Sequence, residues 1–208
     1  MSSVRTAIAK IKVIILDRDG VINEDAAGYI KSPDEWCAIV GSLPAIAKLN
    51  LAGYKVVVAS NQSGIARGYF SLDVLEKIHL KMQQTLAMER GHLDGIFICP
   101  HGSDERCSCR KPSPGLILQV AREFEATPEE MLLIGDSMCD LVAAHNAGCA
   151  AMLVKTGNGE KTLHELTNEG RGGIKDNVRD NIVELGLQNI MVFDNLASAV
   201  AFILKCRG

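Results

Sequence analysis

Six short apolar runs rich in β-branched residues recur along the chain, at residues 13–16, 56–59, 95–98, 131–134, 151–154 and 190–193, with helix-period segments between most of them. Runs this short and this uniformly apolar suit strands buried on both faces. Strands that alternate with helices are joined by crossovers, which makes neighbouring strands parallel. The predicted fold class is therefore α/β: three layers, with a Rossmann-like, mostly parallel sheet and helices on both faces. Helix punctuation agrees. Ser42 ahead of Pro44 opens a segment that Gly53 closes, Ser71 opens one closed by Gly91, and Pro114 precedes another. With 208 residues, 47% of them apolar, the chain can bury one sizeable core, so a single domain over 1–208 is expected. The segment 157–186 is rich in Gly, Asn and charge and reads as a peripheral excursion carrying one short helix near 160–168.

Charge narrows the function classes. Twenty-two basic and 25 acidic side chains leave a formal charge of −3, which offers no broad basic face to duplex nucleic acid, and no aromatic-basic stripe suits a single strand. No apolar run approaches the roughly 20 residues that span a bilayer. The N-terminus lacks the uninterrupted apolar stretch of a secretory signal and the C-terminus lacks a lipidation box. A cytoplasmic monomer without membrane or nucleic-acid partners is expected.

In a parallel sheet, ligands sit beyond the carboxyl ends of the strands, where the strand order reverses. The residues just past the predicted strands are Asp17-Arg18-Asp19-Gly20, Ser60-Asn61-Gln62, the loop 99–110, and Gly135-Asp136. Carboxylates that end buried strands repel one another and lose solvation, a cost that a cation or substrate offsets. Asp17, Asp19 and Asp136, with Asp140 one helical turn further on, supply few, hard oxygen ligands and leave room for waters and a phosphate, which suits Mg²⁺. Lys111 and Ser60 add an ammonium and a hydroxyl, the groups that a transferring phosphoryl group requires. The blander alternative makes Asp17 and Asp19 a turn and Asp136 a helix N-cap.

A second constellation lies in the loop 99–109, where Cys99, His101, Cys107 and Cys109 place three thiols and an imidazole within eleven residues. Four protein ligands fill a tetrahedral Zn²⁺ site and leave no open position for chemistry, so a structural zinc is expected. Arg110 and Lys111 follow the last ligand directly, so the metal would fix where both cations point. Cys37, Cys139, Cys149 and Cys206 are scattered and suit packing, as do His79, His92, His145 and His164, along with Met82 and Met88.

The strand-end residues resemble the haloacid dehalogenase superfamily of phosphohydrolases. Asp17-Arg18-Asp19-Gly20-Val21-Ile22 matches its first motif, Ser60-Asn61 the second, Lys111 the third and Gly135-Asp136-x-x-x-Asp140 the fourth. The resemblance spans roughly residues 10 to 159. It implies a Mg²⁺-dependent phosphomonoesterase in which Asp17 attacks phosphorus, Asp19 serves as acid and then base, and Ser60 and Lys111 steady the phosphoryl oxygens. Asp17, the Asp19 main-chain carbonyl and Asp136 would hold the metal, backed by Asp140. Ser60 through Gly68, with Cys99-Pro100-His101 and Cys107-x-Cys109-Arg110-Lys111-Pro112, is similar to the subgroup of heptose-bisphosphate and histidinol-phosphate phosphatases. The zinc loop is characteristic of that subgroup, and the gaps from Asp19 to Ser60 and from Ser60 to the zinc loop leave no room for a large cap domain.

The resemblance therefore implies a small phosphorylated sugar as substrate, with Asp25, Gly28, Tyr29, Asn61, Gln62, Ser63, Arg110 and Lys111 as its contacts. A heptose 1,7-bisphosphate losing its 7-phosphate on the route to ADP-heptose and lipopolysaccharide core is favoured over histidinol phosphate or another small phosphoester, since Arg110 and Arg67 suit a second phosphate. A non-catalytic zinc module is the competing class, and the uncompensated charge of Asp17, Asp19, Lys111 and Asp136 weighs against it. Two features depart from the subgroup: Ser137 follows Asp136 where a Lys is often found, and the tail beyond Gly159 is long.

Overall fold

The computed structural model describes residues 2–26, 28–168 and 190–207. Among these residues six strands, β1 (Val13–Leu16), β2 (Lys55–Asn61), β3 (Gly95–Cys99), β4 (Met131–Gly135), β5 (Ala150–Val154) and β6 (Met191–Phe193), form one sheet in the order β3-β2-β1-β4-β5-β6. Every neighbouring pair is parallel. The strands coincide with the six predicted runs to within two residues. Helices α1 (Ser2–Lys10), α2 (Ser42–Leu51), α3 (Leu72–Met88), α4 (Gly115–Glu123), α5 (Met138–Ala147), α6 (Gly159–Asn168) and α7 (Leu196–Arg207) cover the sheet.

The side-chain alternation of the central strands explains why their sequence shows no polar face. Ile14, Leu16, Val56, Val58, Leu132 and Ile134 point to one side, where they pack with Leu43, Ile46 and Leu49 of α2, Ile78 and Met82 of α3, and Val200 and Ile203 of α7. Val13, Ile15, Val57, Ala59, Met131 and Leu133 point to the other, against Leu116, Ile117 and Val120 of α4 and Ala143 and Ala144 of α5. Both faces are buried, so both sets must be apolar.

Helix starts follow local chemistry. Ser71 accepts a hydrogen bond from the Val74 N–H at 3.3 Å and caps α3. At α2 the cap is Gly41 in the left-handed region, while the Ser42 hydroxyl donates instead to the Ile22 carbonyl at 2.6 Å. At α5 the capping residue is Ser137, whose N–H donates to Asp140 Oδ2 at 3.1 Å, so Asp136 is not a helix cap. That arrangement leaves the Asp136 carboxylate to face outward from the end of β4.

The strand order reverses on either side of β1, and the crevice at the carboxyl ends of β1 and β4 is the expected ligand position. Helix α6 matches the short helix anticipated near 160–168, and residues 169–186 of the expected excursion lie outside the described residues. Among the described residues, no helix is long and apolar enough to cross a membrane.

Candidate active site

Asp17 leaves the end of β1, and Asp136 leaves the end of β4 with Asp140 on the first turn of α5. Together they present carboxylate oxygens within 4.8 Å of one another. Lys111 reaches the same point from the loop after β3. Its Nζ lies 3.0 Å from Asp17 Oδ1 and 2.5 Å from Asp140 Oδ1, and donates to the Ala59 carbonyl at 2.8 Å. All three ammonium hydrogens are thereby engaged. The side chain is only 2% exposed.

Burial pushes the Asp17 carboxyl up to about 8, against the pull of Lys111 and with the help of Asp140, Asp136 and Asp19. Asp136 is likewise pushed up to about 6 by burial, partly offset by the Asn158 backbone N–H. Burial acts to lower the Lys111 pKa, but the adjacent Asp140 and Asp17 raise it above the ordinary lysine value. Asp140 is spent on Lys111 and Ser137, so Asp17 and Asp136 are the carboxylates left to meet a cation. Hard oxygen donors held above their ordinary pKa range by burial and mutual repulsion suit a small divalent ion such as Mg²⁺.

The Asp136 carboxylate sits in a slot that only glycine can line. A Cβ on Gly20 or on Gly157 would come within 2.2 Å of Asp136 Oδ2, and both glycines have positive φ, +80° and +59°. The loop after β5 completes the slot. The Asn158 N–H donates to Asp136 Oδ2 at 2.7 Å, and its Nδ2 donates to Asp25 Oδ2 at 3.1 Å. Thr156 donates to the Gly20 carbonyl and Thr162 to that of Asp136. The start of the 157–186 segment is therefore part of the site and not peripheral. The strand-end argument, extended to β5, would have found it.

Asp19 is more closely held than the sequence suggested. Arg18 donates to both of its oxygens, Asn23 Nδ2 to Oδ1 at 2.9 Å, and Gln62 Nε2 to Oδ2 at 3.0 Å. The second Gln62 hydrogen reaches Ser60 Oγ at 2.9 Å. Ser60 is buried at the end of β2. Asn61, next to it, pairs with both backbone groups of Lys111 at 3.0 Å, tying the end of β2 to the lysine loop. Arg18, Asn23 and Asn158 were not among the predicted site residues.

Asp17, Arg18, Asp19, Ser60, Lys111 and Asp136 line an open cavity of about 310 Å³. Asp25, Tyr29, Asn61, Gln62 and Lys111, all predicted substrate contacts, are on its wall, together with Ser137 and Asn158. Gly28, Ser63 and Arg110 are not. The Gly28 carbonyl accepts from Lys31 Nζ at 2.9 Å, the Ser63 hydroxyl meets the Tyr29 hydroxyl at 3.3 Å, and Arg110 Nη1 turns back to the His101 carbonyl at 3.2 Å. The expectation that Arg110 faces the substrate is not met in this conformation, because its guanidinium braces the cysteine loop.

In that loop the Sγ atoms of Cys99, Cys107 and Cys109 lie 3.1–3.7 Å apart, and His101 Nδ1 is 3.3 Å from Cys109 and 3.5 Å from Cys99. None of the three thiols is in a disulfide. A tetrahedron with Zn–S bonds of about 2.3 Å has edges of roughly 3.8 Å, so the four atoms are grouped as a zinc site requires. Burial pushes the Cys99 thiol up to about 12, with the neighbouring Cys109 adding to the shift. A cation that binds the thiolate form would remove that cost.

An aspartate pair, a buried lysine and a magnesium-type carboxylate set at the switch point of a parallel sheet define a phosphoryl-transfer hydrolase. A family model described as HAD-hydrolase-like matches residues 108–182. The chain is 50% identical over 169 residues to the D-glycero-beta-D-manno-heptose-1,7-bisphosphate 7-phosphatase of Bordetella bronchiseptica, which covers 81% of this chain and 91% of that protein. It is 42% identical over 193 residues to the Pseudomonas aeruginosa protein of the same name, covering 93% and 98%. The crystal structure of the B. bronchiseptica D,D-heptose 1,7-bisphosphate phosphatase, complexed with magnesium and phosphate, matches with a TM-score of 0.80 at 45% identity, covering 94% of this chain and 99% of that one. The chain belongs to the D-glycero-beta-D-manno-heptose-1,7-bisphosphate 7-phosphatase family of HAD-like hydrolases.

Proposed function

We propose that this chain removes the 7-phosphate of D-glycero-β-D-manno-heptose 1,7-bisphosphate, a step toward ADP-heptose and lipopolysaccharide core, working as a single-domain cytoplasmic monomer. The observation that carries the chemistry is the convergence of Asp17, Asp136 and Lys111 in a chain half identical to enzymes of that name. Asp17 attacks phosphorus in line, the bond to the sugar oxygen breaks, and Asp19 delivers a proton to that oxygen. A water then adds to the aspartyl-phosphate as Asp19 takes its proton, releasing inorganic phosphate and restoring the Asp17 carboxylate. Lys111 neutralises the nucleophile between Asp17 and Asp140, and Ser60 offers its hydroxyl to a phosphoryl oxygen.

Asp17, the Asp19 carbonyl and Asp136 would hold Mg²⁺, with Asp140 supporting through Lys111 and Ser137. When bound, the ion supplies charge that offsets repulsion between an anionic nucleophile and an anionic phosphate. Asp25 and Tyr29, on the cavity wall, would meet sugar hydroxyls.

Turnover of heptose 1,7-bisphosphate, assayed with Mg²⁺ in both anomers against histidinol phosphate, tests the reading. The heptose compound is expected to give the higher kcat/KM. A preference for histidinol phosphate would overturn the substrate assignment, and failure to hydrolyse any phosphomonoester would overturn the activity.

Cys99, His101, Cys107 and Cys109 would hold a structural Zn²⁺. Lys111 stands two residues beyond Cys109, so removing zinc is expected to release the lysine loop, lower Tm and reduce kcat/KM by about tenfold or more. Metal analysis of protein purified without chelators checks this. A zinc content near zero in fully active protein contradicts it.

A further inference from the structure

Arg18 is among the largest fully buried side chains of the described residues, with 1% of its surface exposed. Its guanidinium does not join the Lys111 cluster. It makes three hydrogen bonds to Asp19: Nε to Oδ1 at 3.0 Å, Nη2 to Oδ1 at 2.9 Å and Nη2 to Oδ2 at 2.8 Å. Nη1 faces His79 Nε2 of α3 at 3.5 Å. With Asn23 and Gln62, five N–H contacts converge on a carboxylate that has about four lone-pair positions. Every contact is a donor. A buried ion pair contributes little net stability compared with an apolar pair of the same volume, so stability does not account for this arrangement. It fixes the plane and the position of the Asp19 carboxylate.

The consequences reach the phosphate side of the cavity. Gln62 divides its amide between Asp19 Oδ2 and Ser60 Oγ. The serine oxygen accepts, which leaves its own hydrogen free to be donated elsewhere. One buried amide thus links the proposed acid and base to the proposed phosphate donor.

We propose that Arg18 is the positioning residue for Asp19, holding its carboxylate in the orientation from which it exchanges protons with the leaving oxygen and the attacking water, with Gln62 as the link to Ser60. The proposal rests on the phosphatase reading above. Arg18 borders the cavity with only 1% of its surface exposed, and its side-chain polar contacts run to Asp19 and His79. It acts through the acid and base, so its loss should show wherever a proton must be transferred and not where none is needed.

Leaving groups separate the two cases. A sugar alcohol departs with a proton, whereas p-nitrophenolate departs as an anion without one. Arg18→Met is expected to lower kcat on the heptose bisphosphate by about 10²-fold or more, with KM changed by no more than about twofold. On p-nitrophenyl phosphate, the same variant should keep a stoichiometric pre-steady-state burst of p-nitrophenolate. Its later turnover should slow, because phosphorylation of Asp17 needs no acid but hydrolysis of the aspartyl-phosphate still needs the base. Arg18→Lys, which keeps the charge and loses the two-pronged geometry, should recover only part of kcat.

Gln62→Met, close in volume, guards against a folding defect in the Arg18 variants. It should show the same leaving-group dependence with a loss of about tenfold. An equal loss on both substrates with no burst, or an unchanged kcat on the sugar phosphate, overturns the positioning role. Wild-type protein that hydrolyses neither substrate overturns the phosphatase reading itself.

Discussion

Asp17→Asn is expected to reduce phosphatase turnover by about 10⁴-fold or more while the fold stays intact, because the amide occupies the same volume but cannot form the aspartyl-phosphate. The same variant should be more stable than the wild type at alkaline pH when no divalent metal is added. Burial holds the Asp17 carboxyl at about 8 in the folded protein against an ordinary 3.8, so the native state keeps a proton that the unfolded chain releases. Stability from this group is therefore lost as pH rises from about 4 to about 8. Asparagine has no proton to lose, so the gap in Tm between variant and wild type should widen over that window and then level off. Saturating Mg²⁺ should narrow it, since the ion stabilises the wild-type carboxylate. Appreciable turnover by the variant removes Asp17 from the nucleophile role, and a Tm difference that is flat with pH removes the electrostatic account of the site.

The site is thus bought with local instability, and this shapes what could be read from the sequence. The central strands were legible because burial on both faces demands unbroken apolar runs, and Asp17, Ser60 and Asp136 follow from where those runs end. The metal-type clusters were legible because residue chemistry at short spacing survives without coordinates. What escaped were the supports. Arg18 sat unremarked inside the first motif, since nothing in the sequence shows that its side chain folds back onto its neighbour Asp19 and not into solvent. Asn158 lay in a stretch whose composition resembles a surface loop, although it stands only four residues beyond the end of β5. Where the Arg110 side chain rests was not legible either. A second phosphate suited its charge, but the bends and turns after Cys109 set the side chain's direction, and its guanidinium ends on the His101 carbonyl.

Lys111→Met is expected to be the most destabilising substitution in the site. The ammonium lies between two buried carboxylates, 3.0 Å from Asp17 and 2.5 Å from Asp140, and donates its remaining hydrogen to Ala59. Removing one partner of a buried ionic set leaves uncompensated charge and costs about 3–5 kcal/mol, read as a fall in the urea midpoint. Adding Asp140→Asn should return a large part of that loss, because the second change removes one of the stranded charges. It should return no activity, since Asp17 would still lack its counter-charge. The penalty of the single variant should also shrink as pH falls, because without the lysine both carboxylates can relieve their repulsion by taking up protons. If instead the double variant is less stable than Lys111→Met alone, Asp140 supports the fold through Ser137 at the start of α5 and not through the lysine. The carboxylate cluster would then have to be held together by the divalent ion alone.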